Sequence, residues 1–222
     1  MLEFLRKHKK LVYLFLPTLR ISSVGWISTM IELRRQFNKL KPGIVLDIGG
    51  GDAPYKKFVP HTKYMTLDVD KSSNPDILSD AHNIQWQSNY FDTIISIETL
   101  EHLREPQKSI NEIYRLLKPG GVCVLSTRFL HPYHPGPEDH YRFTWDSLRH
   151  LFRKFDNIEI YHVGNRLQLF HQFINFVDSE NFLKQFITTG MAIFLNILNP
   201  IFARIRFKKT KFPLGFVVYA RK

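Results

Sequence analysis

The sequence holds one cysteine in 222 residues, Cys123. An internal disulfide is therefore excluded, and a framework stapled by bridges with it. Cys123 stands in the apolar run VCVLS, which predicts a buried reduced thiol and a reducing, cytoplasmic setting. A stretch of about 18 apolar residues is also lacking, so no membrane-spanning helix is expected. The opening MLEFLRKHKKLVYLFLP has a short apolar run and no small-residue cleavage site, which predicts no signal peptide. Repeats and low-complexity tracts are missing too. What remains is the composition of a folded domain, 44% hydrophobic and 23% charged.

Acidic residues are scarce at the two ends. Residues 1–41 carry nine Lys/Arg against two acids, residues 203–222 carry seven against none, and residues 42–202 carry 15 against 18. The net +11 is thus a property of the termini, and the middle of the chain is slightly acidic. A nucleic-acid partner is not expected from such a core. The basic, aromatic ends instead suggest contact with an anionic surface, such as the inner face of a membrane, against the plainer reading of solvated termini.

Apolar periodicity predicts helices over 2–16 and 24–40, the second carrying Ile27, Met30, Ile31, Leu33 and Phe37 on one face. Strands are expected at 44–48, 64–70, 76–78, 93–97, 122–127, 157–163 and 215–222, and helices from Pro54, from Pro106 and over 145–153. Alternation of strands and helices means an α/β, doubly wound, mostly parallel seven-stranded sheet. Residues 165–207 depart from it: Leu167, Phe170, Phe173, Ile174 and Val177 have helical spacing, and a second helix follows near Phe182–Ile205. The chain divides into an N-terminal helical extension (1–41), a core (42–164), a helical insertion before the last strand (165–210) and that strand (211–222). The insertion is expected to cap the site, form a homodimer contact or rest on lipid.

The stretch IVLDIGGGDAPY joins a buried strand to a glycine turn, the place where α/β proteins bring backbone against a nucleotide. A dinucleotide fingerprint needs a third small residue where Pro54 stands, and a phosphate loop needs a Lys-Ser/Thr pair that does not follow. The order D-x-G-x-G-x-A, namely Asp47, Gly49, Gly51 and Ala53, does fit a third pattern. Together with LDVD, SDAHNI, YFDTIISIETLEHL and RLLKPGG, in that order over residues 43–155, it resembles the class I S-adenosylmethionine-dependent methyltransferases of the type 11 group, with their Rossmann-like sheet. The resemblance implies S-adenosylmethionine as cofactor. It places Asp47, Gly49, Gly50, Gly51 and Ala53 at its amino-acid tail, Asp68 on the ribose hydroxyls, Asp80 and Ala81 at the adenine, and Ser96 on the central strand beside the pocket.

Methyl transfer from a sulfonium asks the protein mainly to hold the acceptor in line, and a hydroxyl acceptor also needs a base. The loop RFLHPYHPGPEDHYRFTW (128–145) is broken by Pro132, Pro135, Gly136 and Pro137 and lies where such folds bind ligands. His134 and His140 within it, and His102 before it, are the candidate bases. ETLEH puts Glu98, Glu101 and His102 at i, i+3 and i+4. It resembles the metal-binding E-x-x-E-H of small-RNA 2′-O-methyltransferases and some quinone O-methyltransferases, yet an acid–His pair at this point also lines metal-independent pockets, and no metal is assigned. The expected activity is O-methylation of a small-molecule, sugar or lipid-linked acceptor. RNA methylation and a non-catalytic cofactor-binding role are the alternatives.

Overall fold

The computed structural model describes residues 25–136, 138–175, 182–205 and 210–222. The helix expected at 2–16 lies outside them. The described chain begins with helix α1 (Trp26–Phe37), followed by β1 (Ile44–Ile48), β2 (Lys63–Asp68), β3 (Ile77–Leu78) and β4 (Phe91–Ile97). Helix α2 (Pro106–Leu116), β5 (Leu117–Arg128), α3 (Trp145–Leu151) and β6 (Asn157–Val163) come next. The inserted pair α4 (Arg166–Asn175) and α5 (Phe182–Arg204) precedes the last strand, β7 (Gly215–Arg221).

The seven strands pair in the order β3-β2-β1-β4-β5-β7-β6. β1 to β5 are parallel, whereas β7 runs antiparallel between β5 and β6. This is the mostly parallel sheet the sequence predicts. Its two faces carry separate apolar cores, as a sheet covered on both sides must. On one face Ile110, Ile113 and Leu116 of α2 and Leu148 of α3 pack over Ile94, Cys123 and Leu125. On the other, Met30, Leu33 and Phe37 of α1 pack over Val45, Ile95 and Val124. Thr144 caps α3 in a reciprocal box with Ser147, which fixes where the long loop after β5 ends.

Two expectations are corrected. Pro54 opens no α-helix: between β1 and β2 there is only a 3-10 turn at Lys56–Phe58. Gly51 (φ +44°) and Ala53 (φ +54°) both adopt left-handed backbone, and a helix cannot nucleate through alternating hands. Val59, with Tyr55 and Phe58 partly buried beside it, covers that part of the sheet in the helix's place. β5 begins at Leu117 rather than 122, because Leu117 pairs with Phe91 before a register shift. The Lys118 ammonium holds this bend by donating to Asp92 Oδ1 at 2.7 Å.

Candidate active site

The carboxyl ends of β1, β2 and β4 open on one cleft of about 510 Å³. Gly49, Asp68, Asp80 and Ala81 line it from one side, and Glu98, Thr99 and His102 from the other. Among its lining side chains are five acids, Asp68, Asp80, Glu98, Glu105 and Glu138, against one guanidinium, Arg104. The cleft therefore favours a cationic ligand over a phosphorylated one.

The glycine turn directs its amides inward. Gly49 N–H donates to the Leu67 carbonyl at 2.8 Å, Gly50 N–H to the same oxygen at 3.3 Å, and Gly51 N–H to Asp68 Oδ2 at 3.2 Å. Asp68 Oδ1 also accepts the Asp70 amide at 3.0 Å, so this carboxylate braces the turn while facing the cleft. Asp47 lies beneath the turn, fully buried, and accepts from the Tyr64 hydroxyl at 2.7 Å. Burial, with the nearby Asp68 charge adding to it, pushes its carboxyl up to about 7. Asp47, Gly50, Gly51, Ala53 and Ser96 are not among the cleft-lining residues; Ser96 is buried within β4, and Ala53 packs on the α1-side core.

Asp80 is tied to His82. Its Oδ1 accepts the His82 amide at 2.8 Å and meets the ring Nδ1 at 2.5 Å. The Glu105 amide donates to the ring's Nε2 at 3.1 Å, which leaves Nδ1 to carry the proton. Burial opposes ionisation of Asp80, but the His82 hydrogen bonds outweigh it and hold the carboxyl below its ordinary range.

The opposite wall is built where β4 ends. Glu98 has left-handed backbone (φ +55°), the kind of local strain that collects at functional sites. Its carboxylate accepts from the Ser126 hydroxyl at 2.6 Å and pairs with Arg128. Glu101 is wholly buried: Oε2 accepts from the Thr127 hydroxyl at 2.8 Å, and Oε1 has no hydrogen-bond partner among the described residues. Burial and then the Glu98 charge push its carboxyl up to about 7. His102 lines the cleft, its Nδ1 placed 2.5 Å from the Glu138 carbonyl oxygen.

The loop after β5 is folded around the Asp139–Arg142 ion pair. Asp139 holds Arg142 through both oxygens, at 2.5 and 2.7 Å, and Arg142 in turn donates to the carbonyls of His131 and Pro132. Asp139 Oδ2 also accepts the His134 amide at 2.9 Å, so His134 is directed back toward Glu101 and His102. Its ring centroid is 5.0 Å from that of His102, and its Nε2 is 3.9 Å from Glu101 Oε1. Burial holds the His134 imidazole below its usual range.

Of the three candidate bases, then, His102 is on the cleft wall and His134 stands behind it. His140 is not among the lining residues: it pairs with Glu138 at 3.0 Å, and Glu138 is itself gripped by Arg104. Glu101, His102 and His134 each offer one ligand atom, all within 4.8 Å of one another, a set fit for a divalent ion. Glu98, the other acid of the E-x-x-E-H spacing, is turned to Ser126 and Arg128 instead. Thr99 and Glu138 line the cleft without being named as candidates from the sequence, although Thr99 sits within ETLEH and Glu138 in the loop singled out by its prolines and histidines.

Residues 46–125 match the family model described as a methyltransferase domain. This part of the chain is a methyltransferase domain. The whole fold agrees: a possible histamine N-methyltransferase from Thermotoga maritima superimposes with a TM-score of 0.57 at 13% identity, covering 100% of both chains. The phosphoethanolamine N-methyltransferase 2 of Haemonchus contortus, solved with S-adenosylhomocysteine, gives 0.55 at 20% identity over 89% of this chain and 52% of its own. In sequence, the ubiquinone biosynthesis O-methyltransferase of Psychrobacter cryohalolentis is 49% identical over 37 residues. That match spans 17% of this chain and only 14% of the relative's length. The methyltransferase domain's cleft also fits S-adenosylmethionine by its own chemistry. It pairs an acidic lining with a carboxylate at the end of β2.

Proposed function

We propose that the chain is an S-adenosylmethionine-dependent methyltransferase that methylates a hydroxyl on a small or lipid-linked acceptor, with His102 as the base. The observation that carries the reading is the state of the His102 ring. A carbonyl oxygen can only accept, so the Nδ1 facing Glu138 carries the proton. The Nε2 lone pair is left for the acceptor's proton.

Bound S-adenosylmethionine supplies an electrophilic methyl on a cationic sulfur. Asp68, Asp80, Ala81 and Gly49 are the residues that would hold it, since they line one side of the cleft. The protein's remaining tasks are to seat the acceptor on the Glu98–His102 side and to remove its proton as the new bond forms. The acidic lining opposes an RNA strand. The names of the matched relatives, a ubiquinone-pathway O-methyltransferase and a phosphoethanolamine N-methyltransferase, support a small acceptor.

A second reading rests on the Glu101–His102–His134 set, whose buried Glu101 Oε1 lacks a hydrogen-bond partner among the described residues. A divalent ion there would polarise the acceptor hydroxyl in place of a free base.

Calorimetric titration with S-adenosylmethionine and its demethylated product tests the cofactor assignment. Binding to the wild type that is lost in Asp68→Ala is expected. Absence of binding by either ligand would remove the enzymatic reading.

A further inference from the structure

Among the described side chains of the inserted helices, the buried ones are mostly polar and the exposed ones mostly apolar. On α4 the buried positions are Asn165 (at its start), Gln168, His171 and Gln172, while Leu167, Phe170 and Phe173 face solvent. On α5 Asn199 is buried, while Ile187, Met191, Phe194, Ile197 and Ile201 are exposed, Ile197 to 68%. Their spacing of three and four residues places them along one stripe.

Asn165, Gln168, Gln172 and Asn199 of the polar inner side are hydrogen-bonded. Ser28 of α1 donates to Gln168 Oε1 at 2.7 Å, and the Gln168 amide donates to Asn199 Oδ1 at 2.9 Å. Asn165 Nδ2 donates to the Phe202 carbonyl at 2.7 Å. This network docks the pair onto α1 by hydrogen bonds and leaves the apolar stripe outward, the reverse of a helix made to face water. Contiguous exposed apolar surface of this kind marks an interaction site.

Charge identifies the partner. From residue 182 to residue 211 there are six Lys/Arg and no acid. Arg166 at the start of α4 and Arg204 at the end of α5 are exposed, and so is Lys211 in the segment before β7. A second copy would set one basic face on another. Residues 1–24 are basic as well, with five Lys/Arg against one acid. No described helix is long and apolar enough to cross a membrane, which leaves a helix pair lying in the interface plane.

We propose that the outer face of α4 and α5 docks on an anionic lipid surface. The apolar stripe enters the headgroup boundary, and the flanking cations neutralise lipid charge. Gln172 Nε2 donates to the Leu130 carbonyl at 2.7 Å, so the docked face is joined to the loop that carries His134 and borders the cleft. An acceptor held in the membrane would then be presented beside the site. The docking itself does not depend on the methyl-transfer reading.

The test is flotation of the full chain with phosphatidylcholine vesicles, with and without equimolar phosphatidylglycerol, over a range of salt. Binding about tenfold or more tighter to the anionic vesicles, weakened by salt, is expected. Phe194→Glu with Ile197→Glu on α5, and separately Phe173→Asp on α4, should abolish it. All three positions are exposed, so circular dichroism and S-adenosylmethionine affinity should stay as in the wild type. Equal flotation of wild type and variants, or none by either, overturns the proposal. So does a lipid-free dimer in sedimentation that the same substitutions dissolve, since the face would then belong to a second copy. Loss of S-adenosylmethionine binding with flotation intact would count against the enzymatic reading alone.

Discussion

His102 Nδ1 lies 2.5 Å from the carbonyl oxygen of Glu138, and this contact fixes which ring nitrogen carries the proton. Gln at position 102 could still donate an amide to the same carbonyl, yet it cannot accept a proton. His102→Gln is therefore expected to lower turnover about 10²–10⁴-fold, the usual worth of a positioned base. Its affinity for S-adenosylmethionine should be unchanged by calorimetry. Wild-type turnover in this variant would reassign the base.

Divalent ions offer a direct comparison of the two readings of the site. With His102 as a free base, dialysis against a strong chelator leaves methyl transfer unchanged. A loss restored by one divalent metal, and absent in Glu101→Ala, would move the chemistry to the Glu101–His102–His134 set. Inductively coupled plasma analysis of the purified protein would show the same ion in stoichiometric amount.

Two glycines of one turn should respond unequally to alanine. At Gly49 (φ +72°) an added Cβ falls 2.4 Å from Thr99 Oγ1, and Thr99 is held by the carbonyls of Ile48 and Ile97. At Gly51 (φ +44°) it meets nothing within 4 Å. Gly51→Ala carries only the left-handed backbone cost, about 1–2 kcal/mol. Gly49→Ala adds overpacking of about 1–3 kcal/mol. Urea denaturation should rank Gly49→Ala well below Gly51→Ala, and equal midpoints would refute the geometry.

How much of this could be read from the residues differs by element. Continuous apolar runs such as that within Phe91–Ile97 announce central strands, because a parallel strand is buried on both faces. The turn at Gly49–Gly51 declares the strand edge that carries the cleft. The missing helix after Pro54 was not legible, since nothing about Ala53 as a residue type signals its left-handed backbone. Leu167, Phe170 and Phe173 reveal a stripe, but periodicity does not say whether a stripe faces core or solvent. That was decided by Ser28, Gln168 and Asn199, which satisfy one another across three helices. Likewise His131, His134 and His140 are alike in sequence; Asp139, held by Arg142 and accepting the His134 amide, places the His134 ring beside Glu101 and His102.

The last expectation concerns pH and stability. Asp47 is fully buried, and its carboxyl is raised from an ordinary 3.8 to about 7. The folded state thus holds a proton that the unfolded chain releases above pH 4. Its contribution is fully present below pH 4 and is lost as pH rises through 7. Asp47→Asn keeps an oxygen for the Tyr64 hydroxyl and removes the titration. Other groups move with pH as well: His131, held down to about 4 mainly by burial, acts with the opposite sign over part of this range. The informative quantity is therefore the difference between variant and wild type. Measured by urea denaturation, the variant should gain on the wild type from pH 5 to pH 7 and level off by pH 8. The gain over that range is about 3 kcal/mol, at 1.36 kcal/mol for each pH unit. A difference that stays flat across that range would mean that Asp47 is ionised beneath the glycine turn and that its charge is stabilised there. The acidic wall of the cleft would then reach below Asp68, and the turn would rest on a carboxylate.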